Sequence, residues 1–143
     1  MNVVFVCTGN MCRSPMAEGL FNKLMRENGV YGITCSSAGL ATHDGSSATT
    51  NAVVAARELG VDISAHTSRM MTRSILRKAD LVVCMTKKQY EMLNAILPEE
   101  KIYLLGGGIA DPYNQDLDVY RKCAKKIERS LPALLEEILS KGI

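Results

Sequence analysis

Val3-Val4-Phe5-Val6-Cys7-Thr8-Gly9-Asn10-Met11-Cys12-Arg13-Ser14-Pro15, almost at the start of the chain, sets the fold class. Val3 to Val6 is a β-branched and aromatic run with no polar alternation, which suits a strand buried on both faces. A polar, glycine-containing loop follows. Pro15 then stands where an early helical residue belongs, and Ala17, Leu20, Phe21, Leu24 and Met25 recur at helical spacing as far as Asn28-Gly29. The order is buried strand, tight loop, amphipathic helix.

The same alternation continues outward from this unit. A second strand is predicted over Ile33 to Ser37 and a second helix over Ala48 to Leu59, stopping at Gly60. The segment from Ser68 to Lys78 holds a further short helix, and Leu81-Val82-Val83-Cys84-Met85 repeats the pattern of a fully buried strand. Lys87 to Leu97 reads as a helix closed by Pro98, and Ile102 to Leu105 as a last short strand. Gly106-Gly107-Gly108 opens a loop reaching to about Asp116. From Leu117 to Leu139 the apolar residues return at helical spacing, with Pro132 expected to kink or break the helix. Strands alternating with helices predict an α/β fold. We expect a single-domain doubly wound sheet of about four parallel strands, with helices on both faces, spanning residues 1–143. In such sheets ligands sit at the carboxyl ends of the strands, where the first strand-to-helix loop lies.

Composition narrows the function classes. The chain has 143 residues, 47% apolar and 22% charged, with a formal net charge of +2. That balance and a pI near 8.3 argue against a nucleic-acid-binding domain, whose pI usually exceeds ~9. Aromatics make up only 5% and there is no Trp, so base-stacking platforms would have little to draw on. The five cysteines are odd in number and scattered, which does not suit a disulfide-stapled secreted scaffold. No early apolar run approaches the ~18 residues of a membrane span. The expectation is a reduced, cytoplasmic protein with neither membrane nor nucleic-acid partners.

Cys7 and Arg13 bracket the first loop with five residues between them. A loop that joins a buried strand to a helix so tightly turns successive N–H groups inward as an anion nest, and the helix adds its positive end. Thr8, Gly9, Asn10, Met11, Cys12, Arg13 and Ser14 would together hold a tetrahedral oxyanion. Arg13 offers a planar fork matched to two phosphate oxygens. The same positive field favours a nucleophilic thiolate at Cys7, and Ser14 can donate its hydroxyl to that sulfur when it leaves.

Val6 to Glu18 resembles the phosphate-loop signature of the low-molecular-weight protein tyrosine phosphatases, a family that includes bacterial protein-arginine phosphatases. Ser37-Ala38-Gly39, Ile63-Ser64-Ala65-His66, Cys84-Met85 and Asp111-Pro112-Tyr113 extend the resemblance along the chain. It implies a two-step reaction through a phosphocysteine, without metal or cofactor, in a monomer acting on a phosphorylated protein. Inorganic phosphate would be product and inhibitor. Asp111 resembles the family's catalytic acid, needed because a phenolic oxygen leaves badly without a proton. Asn10, Ser37 and His66 resemble residues that hold the phosphate loop in shape. Cys12 matches a second loop cysteine able to form a reversible, protective disulfide with Cys7. Cys35, Cys84 and Cys123 read as core, and Arg69, Arg73, Arg77 and Lys78 as a solvated helical face.

The substrate turns on the pocket wall. Met11 stands where tyrosine-directed members resemble one another in carrying an aliphatic residue and arginine-directed members carry Thr. Tyr113 matches an aromatic wall, while the opposite wall offers only Leu40 and His43 as bulky candidates. Phosphotyrosine is the favoured substrate and phosphoarginine the alternative. An arsenate reductase is disfavoured because the cysteine pair that its relay needs is missing: after Cys84 the next cysteine is Cys123.

Overall fold

The computed structural model describes residues 1–141. Four strands form one sheet: β1 (Asn2–Cys7), β2 (Thr34–Gly39), β3 (Leu81–Cys84) and β4 (Ile102–Leu104). The spatial order is β2-β1-β3-β4 and every pairing is parallel. The expected doubly wound α/β architecture is therefore present. Because the chain order reverses direction beside β1, the loop leaving that strand opens into the crevice where such sheets bind ligands.

Side chains of β1 alternate between two apolar layers, which is why Val3 to Val6 shows no polar positions. Val3, Phe5 and Cys7 face the layer built by α1 (Arg13–Glu27), α2 (Thr50–Glu58) and α5 (Leu117–Ser140). Phe5 meets Phe21 of α1 edge to face, with ring centroids 5.5 Å apart. Val4 and Val6 face the other layer, with Ile75 and Leu76 of α3 (Arg73–Lys78) and Leu93 of α4 (Lys87–Asn94).

Boundaries differ from expectation where tertiary contacts decide them. β2 runs two residues further than predicted, because Ala38 and Gly39 continue the register opposite Val6 and Cys7. α4 stops at Asn94, short of Leu97. α5 is unbroken from Leu117 to Ser140, so Pro132 does not end it. A proline inside a helix costs ~3 kcal/mol or more. Leu131, Leu134, Leu135 and Ile138 around it are buried, and at ~1.5–3 kcal/mol each they outweigh that cost. Arg69 lies outside α3, contrary to its expected place on a helical face; Arg73, Arg77 and Lys78 do lie on α3 and are exposed.

Candidate active site

The loop between β1 and α1 is shaped from below by Asn10. This side chain is fully buried, and its backbone is left-handed with φ 55°, a conformation Asn tolerates better than most residues. Its Oδ1 accepts the backbone N–H of Arg69 at 3.0 Å, which fixes the amide's orientation, so Nδ2 donates to Ser14 Oγ at 2.8 Å. With that oxygen already accepting, the Ser14 hydroxyl proton is free for Cys7 Sγ, 2.9 Å away. The donors thus run one way, from Arg69 through Asn10 and Ser14 to the Cys7 sulfur. His66 Nε2 adds a 2.7 Å bond to the Asn10 carbonyl oxygen.

A second chain of donors ends on the other loop sulfur. Ala52 N–H donates to Thr49 Oγ1, Thr49 donates to Tyr120 Oη at 3.3 Å, and Tyr120 Oη lies 3.4 Å from Cys12 Sγ. Burial pushes the Tyr120 hydroxyl up to about 12 and pushes the Cys12 thiol above its ordinary value. Cys7 and Cys12 are both free thiols here.

Arg13 is the first residue of α1 and is only 3% exposed. Its Nη1 donates to the Ile109 carbonyl at 2.9 Å, and its Nη2 lies 3.6 Å from Asp111 Oδ2. Among the described residues, Arg13 Nε is the one buried side-chain nitrogen or oxygen without a partner. The first turn of α1 carries neither a side-chain cap nor an acidic residue, so its N–H groups and that Nε are available to a single anion. Asp111 Oδ1 accepts the Tyr113 N–H at 3.0 Å, which turns the loop around Pro112 and leaves the carboxylate half exposed.

Cys7, Thr8, Gly9, Met11, Cys12, Arg13, Asp111 and Tyr113 line one cleft of about 180 Å³. That is below the ~300–1,000 Å³ of typical small-molecule pockets, so the cleft has room for the end of one side chain.

Three expected residues stand elsewhere. Leu40 packs into the α3–α4 layer and His43 is exposed, with its carbonyl accepting from Ser68 Oγ, so neither lines the cleft. Ser37 Oγ donates to Glu18, and only its carbonyl reaches the loop's support, by accepting from Arg69 Nε at 2.8 Å. Arg69 itself, expected to be solvated, is a brace between β2 and Asn10. Gly39 explains the end of Ser-Ala-Gly: a Cβ there would come within 3.0 Å of the Thr8 carbonyl oxygen and 3.1 Å of Asn10 Cβ.

Sequence reasoning missed Gln89 and Tyr120. Gln89 Oε1 accepts from Met85 N and Thr86 N, and its Nε2 faces Thr8 Oγ1 at 3.4 Å. The Thr86–Gln89 capping box was a readable signal for the helix start, though not for the contact with Thr8. Tyr120 sits in an apolar helical pattern, and nothing local marks its hydroxyl.

Residues 2–142 match the family described as "Low molecular weight phosphotyrosine protein phosphatase". The chain is 31% identical to a protein-arginine-phosphatase of Bacillus subtilis, covering 96% of this chain and 97% of that one. It is 32% identical to the low molecular weight protein-tyrosine-phosphatase Wzb of Escherichia coli, covering 90% and 89%. The crystal structure of a low molecular weight protein tyrosine phosphatase from T. tengcongensis superposes with a TM-score of 0.88 at 36% identity, covering 96% of this chain and 99% of the other.

Proposed function

The chain belongs to the low molecular weight phosphotyrosine protein phosphatase family, and on that basis we propose that it hydrolyses phosphotyrosine in protein substrates through a phosphocysteine on Cys7. The observation that carries this reading is the convergence of the Ser14-bonded Cys7 sulfur, the buried Arg13 fork and the Asp111 carboxylate on one cleft.

In the first step Cys7 Sγ attacks phosphorus and the bond to the phenolic oxygen breaks, while Asp111 gives that oxygen a proton. Arg13 and the loop N–H groups hold the equatorial oxygens as charge develops. In the second step Asp111 takes a proton from water, the water oxygen attacks phosphorus, and the S–P bond breaks. Ser14 O–H stabilises the departing sulfur, and inorganic phosphate leaves, free to rebind as an inhibitor. The reaction uses no metal. The protein works as a cytoplasmic monomer of one domain, residues 1–143, and Cys12 serves as the partner for reversible oxidation of Cys7.

Met11 and Tyr113 in the cleft wall support an aromatic leaving group, because an unbranched thioether and a phenol ring both pack against a ring face. Phosphoarginine is the second reading. It is favoured by the absence of Leu40 and His43 from the cleft, which leaves Tyr113 as a single aromatic wall.

The test is kcat/KM on two peptides that differ only in carrying phosphotyrosine or phosphoarginine, with Cys7→Ser as control. Phosphotyrosine should be turned over faster, and Cys7→Ser should bind phosphate without turnover. A higher value for phosphoarginine would replace the substrate assignment, and activity in Cys7→Ser would remove the nucleophile.

A further inference from the structure

A second concavity lies along α3, on the layer of the sheet opposite α1, α2 and α5. It is lined by Arg73, Leu76, Arg77, Ile96, Leu97 and Lys101, with a volume of about 660 Å³. None of these residues lines the catalytic cleft. The groove follows α3 toward the amino-terminal ends of the strands, since α3 leads into Asp80, whose N–H bonds the Asn2 carbonyl at the start of β1. Lys101 likewise immediately precedes β4. The catalytic loop leaves β1 at the other end, so a molecule in this groove would leave the cleft open.

Its chemistry is unusual for a solvated helical face. Leu76 and Leu97 form a half-buried apolar floor, and Ile96 stands 65% exposed at its side. Among the described residues, Arg73, Arg77 and Lys101 have no carboxylate within 4 Å. The acidic neighbours of Lys101 in sequence, Glu99 and Glu100, line a different groove with Tyr103 and Glu137. Positive charge is thus gathered around an exposed aliphatic side chain, while the nearby negative charge faces elsewhere. A like-charged rim excludes basic partners, and an apolar floor offers nothing to a purely polar one.

We propose that this groove is a docking site for an acidic segment of a partner protein that inserts an aliphatic side chain between Arg73, Arg77 and Lys101. The concave floor suits one inserted side chain, with carboxylates of the segment meeting the guanidinium forks on either side. This interaction is independent of the phosphatase reading, because it uses no residue of the cleft.

The probe is a fluorescein-labelled peptide of alternating glutamates and aspartates around two leucines, followed by anisotropy. Wild-type protein should bind it saturably, more weakly as salt is raised. Saturating inorganic phosphate in the cleft should not displace it. The double variant Arg73→Glu, Arg77→Glu should weaken binding by about tenfold or more, and so should Ile96→Ser. A peptide with serines for the leucines should lose binding to the same degree. Turnover of para-nitrophenyl phosphate should be unchanged in both variants, which also verifies that they are folded. Absent saturation, equal affinity for the variants, or displacement by phosphate would each overturn the proposal. So would tighter association with phosphatidylserine vesicles than with the peptide, or a self-association of the chain that the same variants abolish. If the cleft reading failed and no phosphatase activity were found, the anisotropy result would still stand or fall by itself, with circular dichroism then reporting the fold.

Discussion

Asp111 Oδ2 lies 3.6 Å from Arg13 Nη2, a pairing of a half-exposed carboxylate with a guanidinium that is 3% exposed. With one partner in water the pair is worth ~1 kcal/mol or less to the fold. Its weight is geometric: the group proposed to deliver the proton is held beside the group proposed to hold the phosphoryl oxygens.

Asp111→Ala should therefore leave stability within ~1 kcal/mol of wild type while slowing phosphotyrosine hydrolysis by roughly 10²–10⁴-fold. An aryl phosphate with a highly activated leaving group should be slowed far less. Equal losses on both substrates, measured as kcat/KM, would count against a proton-donating role.

Asn10→Ala removes two buried side-chain bonds and places a β-carbon residue without a polar side chain at φ 55°. We expect a loss of ~2–4 kcal/mol, seen as a melting temperature lowered by roughly 7–13 °C. Asn10→Asp keeps the acceptor for Arg69 N–H and loses the donor to Ser14. It should lower kcat in the folded protein, since the Ser14 hydroxyl then turns to the carboxylate and its proton is no longer directed to sulfur.

Tyr120→Phe should cost ~1 kcal/mol near neutral pH by removing the bonds to Cys12 and Thr49. The folded tyrosine titrates at about 12 against an ordinary 10, so the folded state keeps its proton where the unfolded chain has lost it. The stability from this group is whole below pH 10 and disappears as pH rises toward 12. Denaturant titrations should thus show the gap between wild type and Tyr120→Phe closing over that window. A constant gap would mean that the hydroxyl is not held in its neutral form.

Met11→Thr exchanges an apolar wall for a hydroxyl at the cleft. The ratio of kcat/KM for phosphotyrosine over phosphoarginine should fall, by roughly tenfold if a hydrogen bond to the guanidino group takes the place of packing against a ring. An unchanged ratio would place substrate choice outside the loop, at Tyr113 or beyond.

The strand–loop–helix unit was legible because its signals are local. A double-sided apolar strand, a glycine-bearing loop and Pro15 each report on their own neighbourhood, and the residues that line the loop are contiguous. Asp111 and Tyr113 were legible only through resemblance, since nothing in Asp-Pro-Tyr requires it to reach Arg13. The far wall was misjudged: Leu40 follows Gly39 on the end of β2, and its side chain turns into the α3–α4 layer. Arg69 and Gln89 were invisible for another reason. Each supports the loop across the sheet from more than fifty residues away, through contacts set by how β2, β3 and α4 pack, and no periodicity encodes such a contact.

Residues 7–14 hold the sulfur, the anion-binding amides and the guanidinium together, while Asp111 and Tyr113 arrive on a loop anchored to them at Ile109, 96 residues beyond Arg13. That loop follows β4, one of the sheet's two edge strands. On the proposed mechanism each stretch carries part of the chemistry, so the reaction belongs to neither alone but to the fold that brings Ile109 against Arg13.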